Sequence, residues 1–334
     1  MSSAPGDAFG ESLARAGAVL GHPPGALRVL RAGGGGGADV AKIEVAGLPG
    51  AYAFRRRKPI TADEPERWIP KDAVCAFLTH RFSHAPVDAA ALAGFLAAPT
   101  GRDLPFRLGA DLLGYGLGSA LTGRSPWSIA TWLDAPRLLD RPDVAAYADL
   151  GRCLKAVHDV RFEGLWPELD RPGEGVCWDQ WIGFMFRHFA TPSLAAQIGQ
   201  DAVETILRLR PSPPSALVLV HGDVHPANAL VCEQGIRMID WDEAGVGAPE
   251  RDFAVLRYRT RQFESGLIGP DRPLFDAAID GYRRAGGQLD ERQMRVHQLL
   301  FLLKQLALPR QPRHVTMTAA DLAAEALRLV RQLG

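Results

Sequence analysis

Leu217-Val218-Leu219-Val220-His221-Gly222-Asp223-Val224-His225-Pro226-Ala227-Asn228-Ala229-Leu230-Val231-Cys232 is followed, after Glu233-Gln234-Gly235, by Ile236-Arg237-Met238-Ile239-Asp240-Trp241-Asp242-Glu243. The apolar β-branched run at 216–221 reads as a strand that ends at His221, and Gly222 and Pro226 mark the loop behind it. Residues 229–232 and 236–240 read as a hairpin. That arrangement returns the Asp240 carboxylate, at the end of the second strand, toward the loop that carries Asp223 and Asn228. A carboxylate suits acceptance of a hydroxyl proton, and a neutral amide oxygen suits a hard cation without adding charge beside that carboxylate.

Outward from this segment, strands come early and helices late. Residues 9–20 have helical spacing, and 27–31, 39–45 and 51–57 read as three antiparallel strands separated by the glycine tract at 33–37 and by Leu48-Pro49-Gly50. Helices are expected at 71–82 and 88–96, and a strand leading into a linker at 126–133. Beyond Asp134 the pattern predicts helices at 144–160, 177–189, 195–209, 274–285, 291–308 and 319–333. The order predicts an α+β protein, with a smaller sheet lobe at 1–132 and a larger, mainly helical lobe at 133–334.

Composition narrows the partners. Hydrophobic residues make up 47% of the 334 positions, enough for an ordinary globular core. Lysine plus arginine (38) equals aspartate plus glutamate (38), so no global field favours nucleic acid or an anionic membrane. Cys75, Cys153, Cys177 and Cys232 are far apart, with no Cys-x-x-Cys pair, and read as reduced thiols. The first ten residues lack a basic segment followed by an apolar stretch, and no apolar run approaches bilayer length. The expectation is a cytoplasmic protein, monomer or homodimer, without nucleic-acid or membrane partners.

Asp223 and Asn228 stand five apart, as do the aspartate and asparagine of the kinase loop His-Arg-Asp-x-x-x-x-Asn. His221 through Asn228 with Ile239-Asp240-Trp241 resembles the signature of the aminoglycoside phosphotransferase and choline kinase superfamily. The likeness continues through Gly247-Ala248-Pro249-Glu250-Arg251-Asp252-Phe253, similar to a Gly-x-Pro-x-x-Asp-Leu continuation, and back to Leu150-Gly-x-x-Leu154-x-x-x-His158. Pro126 through Leu133 resembles the family's strand and hinge. The resemblance implies a bilobal protein-kinase-like fold and transfer of the γ-phosphoryl group of ATP or GTP to a hydroxylated small molecule, antibiotic-like or metabolic. Asp223 is then the base, and Asn228 and Asp240 hold Mg²⁺.

For the nucleotide, the expected residues are Gly35 and Gly36 of the glycine loop, Arg55 on the third strand, and Trp132 and Leu133 at the hinge. Period-2 alternation puts Ala53 and Arg55 on one face, so Arg55 stands where kinases keep a phosphate-gripping lysine. Arg56, Arg57 and Lys58 follow, and a register change moves the role to one of them. Glu64, Glu66 and Asp72 are the candidate acids for that cation, with Asp72 preferred because it opens a helix. For the acceptor, Asp242, Glu243, Trp178 and Asp179 are expected, with Trp181, Ile182, Met185, Phe186 and Phe189 as helical core. So few acids do not describe a polycation pocket. His158, His221 and His225 are expected to fix loops and packing.

Two other readings stay open at this stage. A nucleotide-binding pseudokinase is suggested by the missing lysine. Gly222-Asp223-Val224-His225 also resembles part of a metallophosphoesterase motif, whose upstream Asp-x-His and downstream Asn-His-Asp are absent.

Overall fold

A computed structural model describes residues 7–23, 25–34, 38–57, 69–83, 85–98, 100–118, 124–165, 175–262, 268–307 and 317–334. The chain divides into two compact units. The first comprises Met1–Ser83, Val87–Asp134 and Arg237–Asp242; the second comprises His84–Pro86, Ala135–Ile236 and Glu243–Gly334.

The first unit is a sheet with helices. Helix α1 (Asp7–Val19) precedes strands β1 (Leu27–Gly34), β2 (Ala38–Val45) and β3 (Tyr52–Arg57). Helices α2 (Lys71–Arg81) and α3 (Ala89–Ala97) follow, then β4 (Thr100–Leu104), β5 (Leu112–Gly116) and β6 (Trp127–Thr131). The six strands run antiparallel in the order β1-β2-β3-β6-β5-β4. Alternation decides the faces: Ala41, Ile43 and Val45 of β2 and Phe54 of β3 are buried against Ala16 of α1 and Leu20 just beyond it. Arg56 shares the Phe54 face, where it pairs with Asp39 and lies over the Phe9 ring. Arg55 lies on the opposite face.

The second unit is mainly helical. Helix α4 (Val144–His158), strand β7 (Arg161–Phe162), helices α5 (Trp178–Phe189), α6 (Pro192–Ile198) and α7 (Gln200–Arg208), and strand β8 (Leu217–Val220) lead to the loop at 221–228. Strand β9 (Ala229–Cys232) pairs with β10 (Gly235–Met238), whose Arg237 and Met238 are counted with the first unit. Strand β11 (Gly245–Gly247) then joins a three-stranded sheet, β11-β8-β7, and helices α8 (Glu250–Tyr258), α9 (Arg272–Arg284), α10 (Glu291–Ala307) and α11 (Ala319–Leu333) complete the unit.

The expected class, an antiparallel sheet lobe and a mainly helical lobe, is the one found. Several elements differ in detail. Strand β1 extends to Gly34, strands β4 and β5 add two members to the sheet, and α8 is an additional helix. The helix expected at 195–209 is two helices parted at Gly199, whose φ is 88°. Strand β10 stops at Met238, so Asp240 is not a strand end; it lies two residues beyond the strand with φ 61°. Among the described residues no helix is long and apolar enough to cross a membrane, and no cysteine is joined in a disulfide.

Candidate active site

Strand β8 is apolar and buried, and it delivers His221 into a loop whose backbone is tied down by one carboxylate. Asp252, in the first turn of α8, accepts the N–H of His221 at 2.9 Å and that of Gly222 at 2.7 Å. His158, at the end of α4, places Nε2 3.1 Å from the same carboxylate and Nδ1 3.1 Å from the Tyr282 hydroxyl. An acceptor-only carboxylate fixes the tautomer: Nε2 carries the proton, and Nδ1 accepts from Tyr282. Burial works to raise the Asp252 carboxyl, but the His158 and backbone donors hold it below the usual range. It is therefore an anion aimed at two amides. Gly222 has φ 81°, and a Cβ there would stand 2.1 Å from the Glu243 carbonyl oxygen.

Asp223 follows, its N–H donating to His221 Nδ1 at 3.3 Å. Its Oδ1 accepts from Arg259 Nη1. Its Oδ2 accepts from Asn228 Nδ2 at 3.2 Å and lies 3.4 Å from His225 Nε2. His225 Nδ1 accepts the Ala227 N–H at 3.3 Å, so the ring proton sits on Nε2, facing Asp223. Burial alone would raise the Asp223 carboxyl; the His225 hydrogen bond and the Arg259 guanidinium pull it far below the usual range. Asn228 spends its amide nitrogen on Asp223, both on Oδ2 and on the main-chain oxygen at 3.1 Å. Its Oδ1 is then the atom it has for a cation, the hard oxygen donor that Mg²⁺ prefers.

In the first unit, Arg55 is the centre of a second cluster. Its guanidinium forks onto Asp242, Nη1 to Oδ1 at 2.5 Å and Nη2 to Oδ2 at 2.6 Å, and Nη2 also reaches Asp240 Oδ1 at 2.7 Å. Burial opposes the Arg55 charge, but Asp242, Asp72 and Asp240 raise its pKa. Arg55 is the basic residue of β3 whose guanidinium reaches Asp240 and Asp242, whereas Arg56 lies on the other face against Asp39. Asp72 opens α2 and accepts from Ser128 Oγ at 2.8 Å. Its carboxyl is raised by burial, with Arg55 and Ser128 acting in the opposite sense.

A family model described as the phosphotransferase enzyme family, APH, matches residues 36–297. The chain belongs to that family. Its fold is similar to that of an aminoglycoside phosphotransferase, APH(4)-Ia, solved with ADP and hygromycin B: 15% identity, 97% of this chain and 98% of that one, TM-score 0.55. It is also similar to a macrolide 2′-phosphotransferase from Brachybacterium faecium (20% identity, 95% and 98% covered, TM-score 0.50). A choline kinase from Cryptosporidium parvum Iowa II gives 12% identity, 96% and 94% covered, and TM-score 0.51. None of the curated proteins matches the chain.

Several expected residues of this phosphotransferase stand differently from their expectation. Trp178, expected in the acceptor pocket, is only 6% exposed; its Nε1 donates to the Pro211 carbonyl at 3.1 Å and its ring packs on Trp181 and His297. It is core, buried with Ile182, Phe186 and Phe189 of α5, whereas Met185 is only half-buried. Asp179 is exposed in the first turn of α5. Asp242, also expected at the acceptor, gives both oxygens to Arg55 instead, and Glu243 lies 4.0 Å from Lys304 of α10.

At the hinge, the Trp132 N–H donates to the Ala51 carbonyl at 2.9 Å and its ring lies under Lys42, while Leu133 follows half-buried. Gly35, Gly36, Glu64 and Glu66 lie outside the described residues. Sequence reasoning missed the loop-anchoring duty of Asp252, although the Gly-x-Pro-x-x-Asp continuation pointed at the residue. It missed Arg259 altogether, because 257–261 alternate arginine with other residues and no spacing singles one out.

Proposed function

We propose that this chain transfers the γ-phosphoryl group of ATP or GTP to a hydroxyl of a small, antibiotic-like natural product, and does so in the cytoplasm. The observation that carries the reading is the Asp223 carboxylate, held on both oxygens and kept ionised by its neighbours. Such a group accepts a hydrogen bond from the acceptor hydroxyl and aims its oxygen at phosphorus; it takes the proton itself only late, after charge has built on that oxygen. Asn228 Oδ1 and the Asp240 carboxylate are the proposed Mg²⁺ ligands, each a hard oxygen of the kind the ion prefers. Mg²⁺ held by these residues would supply neutralisation of the phosphate charge. Arg55 grips phosphate with Nη2, exchanging its Asp240 contact for the nucleotide. The Trp132 N–H is already engaged by Ala51, so the purine edge is read by other backbone groups of Trp132 and Leu133.

The charges favour an acceptor of low positive charge. Asp242 and Glu243 each already face a cation, Arg55 and Lys304, so neither offers the unmatched field that a polycation needs. A macrolide, a nucleoside or peptide antibiotic, or a hydroxylated primary metabolite fits better than an aminoglycoside. The test is a screen of such compounds with Mg²⁺ and either ATP or GTP, following phosphorylated product by mass, and a matching rise in drug tolerance in cells that express the protein. Asp223→Ala should reduce turnover by roughly 10² to 10⁴; unchanged turnover defeats the assignment. The Arg55 contact with Asp240 favours one competing reading, a nucleotide-binding protein without transfer, and product formation at any acceptor excludes it.

A further inference from the structure

Arg259 caps the C-terminus of α8, seven residues beyond Asp252. Seven residues are close to two helical turns, so the two side chains leave the same face of the helix about 10 Å apart along its axis. One helix face therefore holds the catalytic loop twice. At its N-terminal end Asp252 takes the amides of His221 and Gly222; at its C-terminal end Arg259 takes the Asp223 carboxylate.

The Arg259 side chain is only 14% exposed, and its Nε is buried without a hydrogen-bond partner. A guanidinium buried with one donor unsatisfied is costly to place, so its location answers to Asp223 rather than to convenience in packing. The remaining restraints on the carboxylate are weaker: a neutral amide at 3.2 Å and a neutral imidazole at 3.4 Å, both on Oδ2. Oδ1 is governed by the charged donor. Without it, the carboxylate is held through Oδ2 by the two neutral groups, its rotation about the Cβ–Cγ bond is less restrained, and the oxygen that orients the acceptor hydroxyl loses its aim.

We propose that Arg259 is a positioning residue for the phosphoryl transfer, fixing the rotamer of Asp223 from the end of α8. The proposal rests on the kinase reading given above. It distinguishes Arg259 from Arg55, whose duty is to the nucleotide.

The experiment is a double-mutant cycle at positions 223 and 259, read on thermal stability and on Mg²⁺- and ATP-dependent transfer to an acceptor found by the screen. Arg259→Ala should lower kcat by about 10- to 100-fold, the scale of a misaimed reactive group, with KM for ATP nearly constant. In the Asp223→Asn background the same change should lower kcat by less than about 2-fold, because residues acting through one another are not additive. Millimolar methylguanidinium should return part of the kcat of Arg259→Ala. Thermal stability lost in Arg259→Ala should be partly regained when Asp223→Asn removes the stranded carboxylate charge. Multiplicative losses in kcat, or a KM for ATP that rises in step with the loss, overturn the proposal. Additive Tm changes overturn the pairing itself. A wild-type protein that transfers no phosphoryl group defeats the kinase reading instead, and the Tm cycle still decides the pairing.

Discussion

Arg55 shows how far one residue's role was legible. Alternation along β3 put it on the face opposite Phe54, and the structure agrees. Its partner was not legible. Protein kinases pair a shorter lysine with a glutamate on the next helix; here the cation is longer and forked, the acid, Asp72, is shorter, and Asp72 bonds Ser128 while Arg55 forks onto Asp242. A side chain's reach across 187 positions leaves no periodic trace in a sequence. Gly222 is the opposite case, since its motif named it and its geometry explains it. Alanine at 222 brings a strained positive φ costing about 1–2 kcal/mol, and a Cβ 2.1 Å from a backbone oxygen that cannot swing aside. We expect Gly222→Ala to stay folded by circular dichroism but to displace Asp223 enough to lower kcat about 100-fold. A variant with wild-type kcat would show that the loop tolerates the shift.

Among the elements, the long helices other than the one parted at Gly199, and the apolar strands around the catalytic loop, were read nearly to their ends, because burial of one face writes a period into the sequence. Strands β4 and β5 were not read. They carry glycines whose missing side chains are covered by cross-strand aromatics, Gly101 by Tyr115 and Gly116 by Trp127, so the stabilising surface belongs to the neighbouring strand. The pairing of α4 with α9 uses the same economy: a Cβ at Gly151 would meet the Ala278 carbonyl at 2.0 Å, and one at Gly281 the Ala148 carbonyl at 2.0 Å. Gly151→Ala must push the two backbones apart, which costs about 1–3 kcal/mol or more and lowers Tm by about 2–4 °C per kcal/mol; an unchanged Tm by calorimetry would sink this account. On α10, His297 is held against the Trp178 and Trp181 rings, and burial, helped by Arg251, pushes its pKa down to about 3. The folded protein thus keeps His297 neutral where the unfolded chain protonates near 6.5. Its contribution is intact above about pH 6.5 and is lost as pH falls toward 3, at up to about 1.4 kcal/mol per unit. His297→Leu should flatten the acid side of the Tm against pH curve relative to wild type; parallel curves would show that the histidine finds its proton in the fold.

For the whole molecule, chain order is a poor guide to which residues fold together. Arg237–Asp242 folds with the sheet unit although nearly all of its sequence neighbours belong to the helical one, which no composition shift near 236 or 243 announces. The consequence is a division of labour: Asp223 and Asn228 stand in one unit, and Asp240, Asp242 and Arg55 in the other. Each half satisfies its own charges, Asp223 with Arg259 and Asp240 with Arg55. On the proposed function, nucleotide binding replaces one cation on Asp240 by another, so the free energy of binding should depend on Mg²⁺ through that carboxylate. Saturating ATP with Mg²⁺, at about 100 times its Kd, should stabilise the folded protein by about 2.7 kcal/mol, a Tm rise of several degrees. ATP with a chelator should give less. In Asp240→Asn, the amide still accepts from Arg55 but offers Mg²⁺ no charge, so ATP with and without Mg²⁺ should raise Tm equally. An Asp240→Asn protein that keeps the full Mg²⁺-dependent rise would remove Asp240 from the metal site and leave the neutralisation of the phosphates to other groups.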